Sequence, residues 1–266
     1  MIGIRQLLDF LSMRKLHLRA SQIAALATNP HVTVYPREIS FEGPPRRIAV
    51  LTPHADDETF GAGGTLLQHL AHGDDVHMYL FSDNVTSIDS SDWSDEEKRM
   101  KREAEFAAAM NTLGITQWKA LRMGNTDFTR HVYRERAFSA LIENEPDVLY
   151  LPSLFDNHHD HRILNVWLLR TLRDHHVFRP LIRGFEVWSP LPATAVTDIT
   201  GHIDRKREAM RCYMSQQDAI DYTHHIEGLN AYRAMTFGGR RARFAEAFLE
   251  LPADAYLELG NSYLKS

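Results

Sequence analysis

The chain has a single cysteine, Cys212, in 266 residues. An internal disulfide is therefore excluded, and the composition fits a reducing compartment, so the cytoplasm is the expected location. The thiol itself reads as a small buried hydrophobe. No apolar run approaches the length of a membrane span, and the first residues lack the continuous apolar core of a signal peptide, so no stable membrane insertion is expected. Positive charge is not in excess either. Thirty Lys and Arg face 35 Asp and Glu, a net charge of −5, and this argues against a nucleic-acid partner, which needs a basic face to neutralise phosphates. No Gly-x-Ser-x-Gly elbow occurs, which disfavours a serine hydrolase. Gly61-x-Gly63-Gly64 follows an apolar run but misses the Gly-x-Gly-x-x-Gly spacing, and Asp56, Asp57 and Glu58 would repel a pyrophosphate. Those glycines are better read as allowing close helix–strand packing. Repeats, linkers and low-complexity tracts are also missing.

What remains is an ordinary globular composition, 44% hydrophobic and 24% charged, at a natural size for one α/β domain. Strands are predicted at Arg47–Thr52, Val76–Ser82, Gln117–Met123, Asp147–Pro152 and Arg183–Trp188. Between and after them, helices are predicted at Thr65–His72, Asp95–Leu113, Val132–Glu143, Ile163–Leu172 and Ile203–Tyr213. This alternation implies an α/β, Rossmann-like fold, its sheet mostly parallel with helices on both faces. Residues 1–45 read as an N-terminal helical extension, with a helix over Ile2–Leu26 and short strands at His31–Tyr35 and Glu38–Phe41; residues 46–266 form the main domain. The N-terminal helix would pack on that domain or on a partner subunit, which leaves a homo-oligomer open.

Two clusters carry chemistry. The first is Pro53-His54-Ala55-Asp56-Asp57-Glu58, directly after the Arg47–Thr52 run. His54 and Asp57 are spaced so that one tight turn can aim both at a divalent metal, zinc above all. Asp56 would lie beside that metal, able to take a proton from activated water, and Glu58 would brace the ligands or nearby backbone. The second is His158-His159-Asp160-His161, in the loop after the Asp147–Pro152 run. Acids at a helix start often only complement its dipole, and a histidine-rich loop is often only solvated. Both clusters, however, follow strands, at the sheet edge where open α/β folds bind ligands. One of the later histidines would complete the three protein ligands of a catalytic zinc site. Ferrous iron suits the same donors. A metal phosphoesterase and a non-catalytic sugar-binding protein are the alternatives; the first would need more acids, and the second would need neither Asp56 nor His158.

Pro-His-x-Asp-Asp-Glu followed by Asp-x-His-x-Asp-His resembles the PIG-L/LmbE-like family of metal-dependent N-acetyl-sugar deacetylases. The resemblance implies that His54, Asp57 and His161 hold zinc, that Asp56 is the general base, and that His158 stabilises the oxyanion or protonates the leaving amine. It implies that Asp160 orients His158. Arg102, within Arg102-x-x-Glu105, and Asp127, within Gly124-Asn125-Thr126-Asp127, are implied substrate contacts. Lys206-x-x-Ala209, Ser215-Gln216 and the segment around Glu246 resemble later signatures of the family. Many members have Thr-Asp/Asn-Gly after the second strand, whereas this chain has Ser82-Asp83-Asn84. The expected activity is removal of acetyl from an N-acetylglucosamine-type amino sugar or its conjugate, a small-molecule substrate.

Overall fold

The computed structural model describes residues 36–124, 131–217, 220–237 and 242–264. The expected N-terminal helix and Asp127 lie outside them. The strands are β1 Arg37–Glu38, β2 Arg47–Thr52, β3 Asp75–Ser82, β4 Gln117–Met123, β5 Val148–Pro152, β6 Leu181–Phe185, β7 Ala195–Asp198 and β8 Ala245–Pro252. They form one sheet in the order β1-β7-β8-β6-β5-β2-β3-β4. Every pairing is parallel except those of β8 with β6 and β7. The helices are α1 Asp57–His72, α2 Asp95–Leu113, α3 His131–Ile142, α4 His159–Asp174, α5 Ile203–Met210, α6 Tyr222–Arg233 and α7 Ala253–Leu264, with a single turn at Met214–Gln217.

Alternation along the central strands builds two cores. Ala49 and Leu51 of β2, with Leu149 and Leu151 of β5, pack against Trp167 and Leu168 of α4 and Tyr256 of α7. Ile48 and Val50, with Val148 and Tyr150, face Phe60 and Leu66 of α1 and Phe106 and Met110 of α2. A sheet buried on both faces explains why β2 and β5 read as continuous apolar runs. The helices on both faces and the mostly parallel sheet are as expected. The chain runs from β2 outward to β3 and β4, then returns to β5 on the other side of β2. That reversal is the topological switch point of an open α/β sheet, and both metal-type motifs hang from the two strands that flank it.

Several elements differ from expectation. α1 begins at Asp57 rather than Thr65, so Gly61, Gly63 and Gly64 lie inside the helix. A Cβ at Gly61 would sit 2.1 Å from Phe185 Cδ2, and one at Gly64 2.7 Å from Ile199; the glycines let α1 lie directly on its neighbours. α4 starts at His159, inside the second motif, rather than at Ile163. α6 occupies a stretch read as a loop, because its buried positions are Ile226, Asn230 and Arg233, at helical spacing but two of the three polar. β7 follows a proline-rich stretch that masked it. β1 pairs with β7, and Ile39 is buried, so the sheet takes an edge strand from within residues 1–45.

Candidate active site

The turn between β2 and α1 is held from within. Thr52 Oγ1 donates to His54 O (2.6 Å), and the His54 amide donates to Asp57 Oδ2 (3.0 Å). Glu58 is fully buried and accepts from Thr52 Oγ1 (3.2 Å), the Asp56 amide (3.2 Å), Thr59 Oγ1 (2.7 Å) and the Tyr213 hydroxyl. It braces the turn, as its expected role requires. Asp56 stands at φ 149°, ψ −34°, a backbone conformation that costs a non-glycine residue about 1–3 kcal/mol. Asn84 braces the same turn from β3's loop: its Oδ1 accepts the Ala55 amide at 2.9 Å, and its own φ is 58°. Asn84 is the departure from the family's glycine. Asparagine is the side chain that best tolerates the left-handed region, and here its amide group adds a contact glycine cannot make.

The second motif closes over the first. His158 is the N-cap of α4, and its Nδ1 accepts the Asp160 amide at 3.3 Å. Its other ring nitrogen is thereby free of that bond. The Asp160 carboxylate reaches His54 Nε2 instead, at 2.9 Å. The resemblance assigns it to His158; the cap geometry gives His158 the backbone of Asp160 and sends the side chain across the cleft. Asp156, fully buried, takes the His158 amide (2.9 Å) and the Trp188 amide (3.0 Å) on its two oxygens, and its Oδ1 lies 3.2 Å from His161 Nδ1.

His54, His158 and His161 offer ligand nitrogens within 4.8 Å of one another. Asp57 sits among them, Oδ2 3.2 Å from His54 Nδ1 and Oδ1 3.2 Å from His161 Nε2. Both His161 nitrogens are fully buried yet make no hydrogen bond of acceptable geometry, although carboxylate oxygens stand 3.2 Å from each. Among these donors only His54 Nδ1 and Asp57 Oδ2 bond to one another, and the buried, unpartnered nitrogens of His161 suit a cation beside them. The field agrees. Burial opposes charge on His161, but Asp57 and Asp156 push it up to about 9; burial likewise opposes charge on His54, which Asp160 and Asp57 push up to about 10. Asp57 is desolvated, yet His161 and His54 hold it well below the usual carboxylate range. Positive charge is thus stabilised at this point. The donor set fits a divalent metal, with His54, Asp57 and His161 as holders and His158 within reach.

Asp56 points to another partner. Burial raises it to about 7, against the pull of Arg102, whose Nη2 lies 2.8 Å from Asp56 Oδ2. Arg102 is fully buried and also binds Glu105 Oε2 (2.9 Å), Ser215 Oγ (3.3 Å) and Ala55 O. Its side chain also borders the cleft, where a substrate contact was expected of it. The cleft, about 210 Å³, is also lined by Thr86, Ser87, Gln216, Phe60, Trp188 and Tyr222. Of these, Gln216 lay in the Ser215-Gln216 motif. Trp188 read only as the end of a strand; an aromatic just past a strand's carboxyl end was the available signal.

Comparison with known proteins agrees with this geometry. Residues 49–171 match the PIG-L family, described as GlcNAc-PI de-N-acetylase. Over 122 residues the chain is 27% identical to a diacetylchitobiose deacetylase of Thermococcus kodakarensis, a match spanning 44% of this chain and 45% of that protein. It therefore spans about half the length of that relative. Among solved structures, the fold is similar to N,N'-diacetylchitobiose deacetylase from Pyrococcus horikoshii, bound to an inhibitor, with TM-score 0.68, 20% identity, and 79% and 85% of the two chains covered. It is also similar to GalB, a 4-carboxy-2-hydroxymuconate hydratase from Pseudomonas putida, with TM-score 0.63, 18% identity, and 77% and 96% covered. At these identities the likeness establishes the fold, and one fold carries both reactions. Among the described residues, no helix is long and apolar enough to cross a membrane.

Proposed function

We propose that this chain, which carries a PIG-L family domain over residues 49–171, is a metal-dependent hydrolase that removes acetyl from an N-acetylglucosamine-type amino sugar or its conjugate. The observation that carries this reading is the pairing of a histidine–aspartate cation site with an unligated acid, Asp56, held near neutrality beside it. A site for binding alone needs no such acid, and the similarity to a diacetylchitobiose deacetylase supports the substrate class. Zinc is the proposed ion, with ferrous iron suited to the same donors; a bound ion supplies Lewis acidity toward the amide carbonyl and toward water.

Each residue then has one task. Asp56 takes the proton of the attacking water, and its raised affinity for protons makes it a base at neutral pH that can return what it takes. Arg102 keeps Asp56 oriented, and the Asp160 carboxylate fixes the ring of His54. His158 reaches the cleft from the cap of α4 and faces the oxyanion or the departing nitrogen. An amine leaves only when protonated, so Asp56 or His158 must deliver that proton. The test is acetate release by zinc-loaded protein across N-acetyl sugars, with Asp56→Asn as the paired variant. The variant is expected to keep its metal and lose about 10²-fold or more in kcat. Unchanged turnover in Asp56→Asn would remove the base assignment, and sugar binding without acetate release in the parent would remove the enzyme.

A further inference from the structure

Trp188 is 48% exposed, although it stands beside the deepest part of the molecule's polar chemistry. Its indole lies nearly parallel to the His158 ring, with centroids 6.0 Å apart and 23° between planes. It meets Tyr222 edge-on at 5.9 Å, and Tyr222 stacks on Phe60 at 5.1 Å and 19°. These four rings form one continuous series from the His158 imidazole to the buried ring of Phe60, and Trp188 is its most exposed member. Thr86, Ser87 and Gln216, which also line the cleft, are polar and uncharged. The backbone of Trp188 is not free to drift, because its amide donates to Asp156 Oδ2, and the same carboxylate abuts His161. The main chain that carries the indole is therefore anchored to the cation site.

An exposed indole in the cleft beside His158 offers a ligand a flat apolar face to cover. A ligand with one flat apolar face and hydroxyls around its rim would match the rings and these polar groups at once. The reacting amide must lie between the cation site and His158, so whatever the amide nitrogen is attached to comes directly against Trp188.

Resting on the deacetylase reading, we infer that Trp188 is the platform on which the pyranose ring bearing the acetamido group lies, with Tyr222 extending that platform. Trp188 thereby selects sugar amides over ring-less ones. The ring is bound before and during the reaction, so its loss raises KM more than it lowers kcat.

The experiment uses two probes that divide the substrate: glucosamine carries the ring without the acyl group, and acetate carries the acyl group without the ring. Binding of each to zinc-loaded parent, Trp188→Ala and Trp188→Phe is measured by calorimetry or ligand-observed NMR. Trp188→Ala is expected to weaken glucosamine about tenfold, as loss of the buried ring face implies, and to leave acetate and zinc content unchanged. Trp188→Phe is expected to stay within about threefold of the parent for both probes. Glucosamine binding unaffected by Trp188→Ala overturns the platform. So does an equal loss for both probes, which would mean that the cleft itself has collapsed. Because the readout is binding, a parent that releases no acetate from any N-acetyl sugar would sink the proposed reaction while the platform is still decided by the two probes.

Discussion

Lys206 and Glu246 are inserted into α1 as a buried ion pair, and removing either should loosen the turn that carries Asp56 and Asp57. Lys206 Nζ donates to Phe60 O (2.8 Å), Asn230 Oδ1 (2.8 Å) and Glu246 Oε1 (2.6 Å), and it is fully buried. Glu246 in turn accepts from the Gly64 amide (2.9 Å), the Thr65 amide (2.8 Å) and Thr65 Oγ1 (2.6 Å). The pair thus holds Phe60 O and the Gly64 amide, the two ends of one helical hydrogen bond, three residues beyond Asp57. Breaking a buried pair by removing one partner costs about 3–5 kcal/mol. Lys206→Met leaves Glu246 with three donors, so the low end applies, about 3 kcal/mol. Glu246→Gln turns an amide NH₂ toward either the Gly64 amide and the Lys206 ammonium or the Thr65 amide and hydroxyl, and the upper end applies, about 5 kcal/mol. The double variant removes both charges and should recover at least ~2 kcal/mol relative to the sum of the singles. Urea unfolding of all three variants measures this. Zinc competition should also show affinity weakened by about tenfold or more in each single variant, as for other residues that orient metal ligands. Single costs under 1 kcal/mol, or additive ones, would mean that the pair does not lock the helix.

His161→Ala should abolish stoichiometric zinc binding by elemental analysis, and chelation should then no longer lower its Tm, whereas the parent should lose about 4 kcal/mol when ion present at ~1,000 Kd is stripped. Gly61→Ala should destabilise by about 1–3 kcal/mol, because its Cβ would meet the immobile ring of Phe185 at 2.1 Å. Gly228→Ala, in α6 with nothing within 4 Å of the new Cβ, should instead stabilise by ~0.5–1 kcal/mol; thermal unfolding of both variants checks the contrast. Burial holds His69 at about 4, below its ordinary 6.5, despite its bond to Asp74. The unfolded chain therefore binds a proton there that the folded chain refuses, and stability contributed by the neutral ring should fall as pH drops from about 6.5 to 4. The full effect is about 3 kcal/mol, and His69→Gln should flatten that part of the urea-midpoint profile against pH.

Much of the site could be read from residues because its ligands are local and chemically distinctive. His54 and Asp57 sit within one turn, and His158 to His161 within another, each after an apolar run that could only be a buried strand. The fold class followed from the same runs, since strands buried on two faces carry no polar alternation to confuse them. What was missed lay where side-chain chemistry and burial part company. α6 buries Asn230 and Arg233, Arg233 because Glu186 accepts from its Nε at 3.0 Å and from its Nη2, and no hydropathy pattern marks such a face. Arg102 reads as a substrate contact through the family resemblance, and its full burial against Asp56 and Glu105 adds partners that the sequence does not show. Trp188 carried no motif at all, and its place in the cleft comes with a backbone bond to Asp156, 32 residues away.

Three carboxylates in sequence at the start of one buried helix would be untenable if they were alike, and the structure makes each different. Glu58 faces hydroxyls and an amide rather than a cation, and burial raises its affinity for a proton. Asp56 has Arg102, enough to orient it but not enough to outweigh its desolvation. Asp57 alone faces imidazoles, with neither a lysine nor an arginine on its oxygens, and it alone is held well below the usual range. The division matters because neighbouring acids can perform separate steps only when their environments drive their proton affinities apart. The backbone strain at Asp56 has a physical reason in the same terms. At φ 149° the chain turns sharply between the two acids, so that Asp57 faces the histidines while Asp56, one residue earlier, faces Arg102. An ordinary helical start would leave adjacent carboxylates competing for one cation, with no acid free to move a proton.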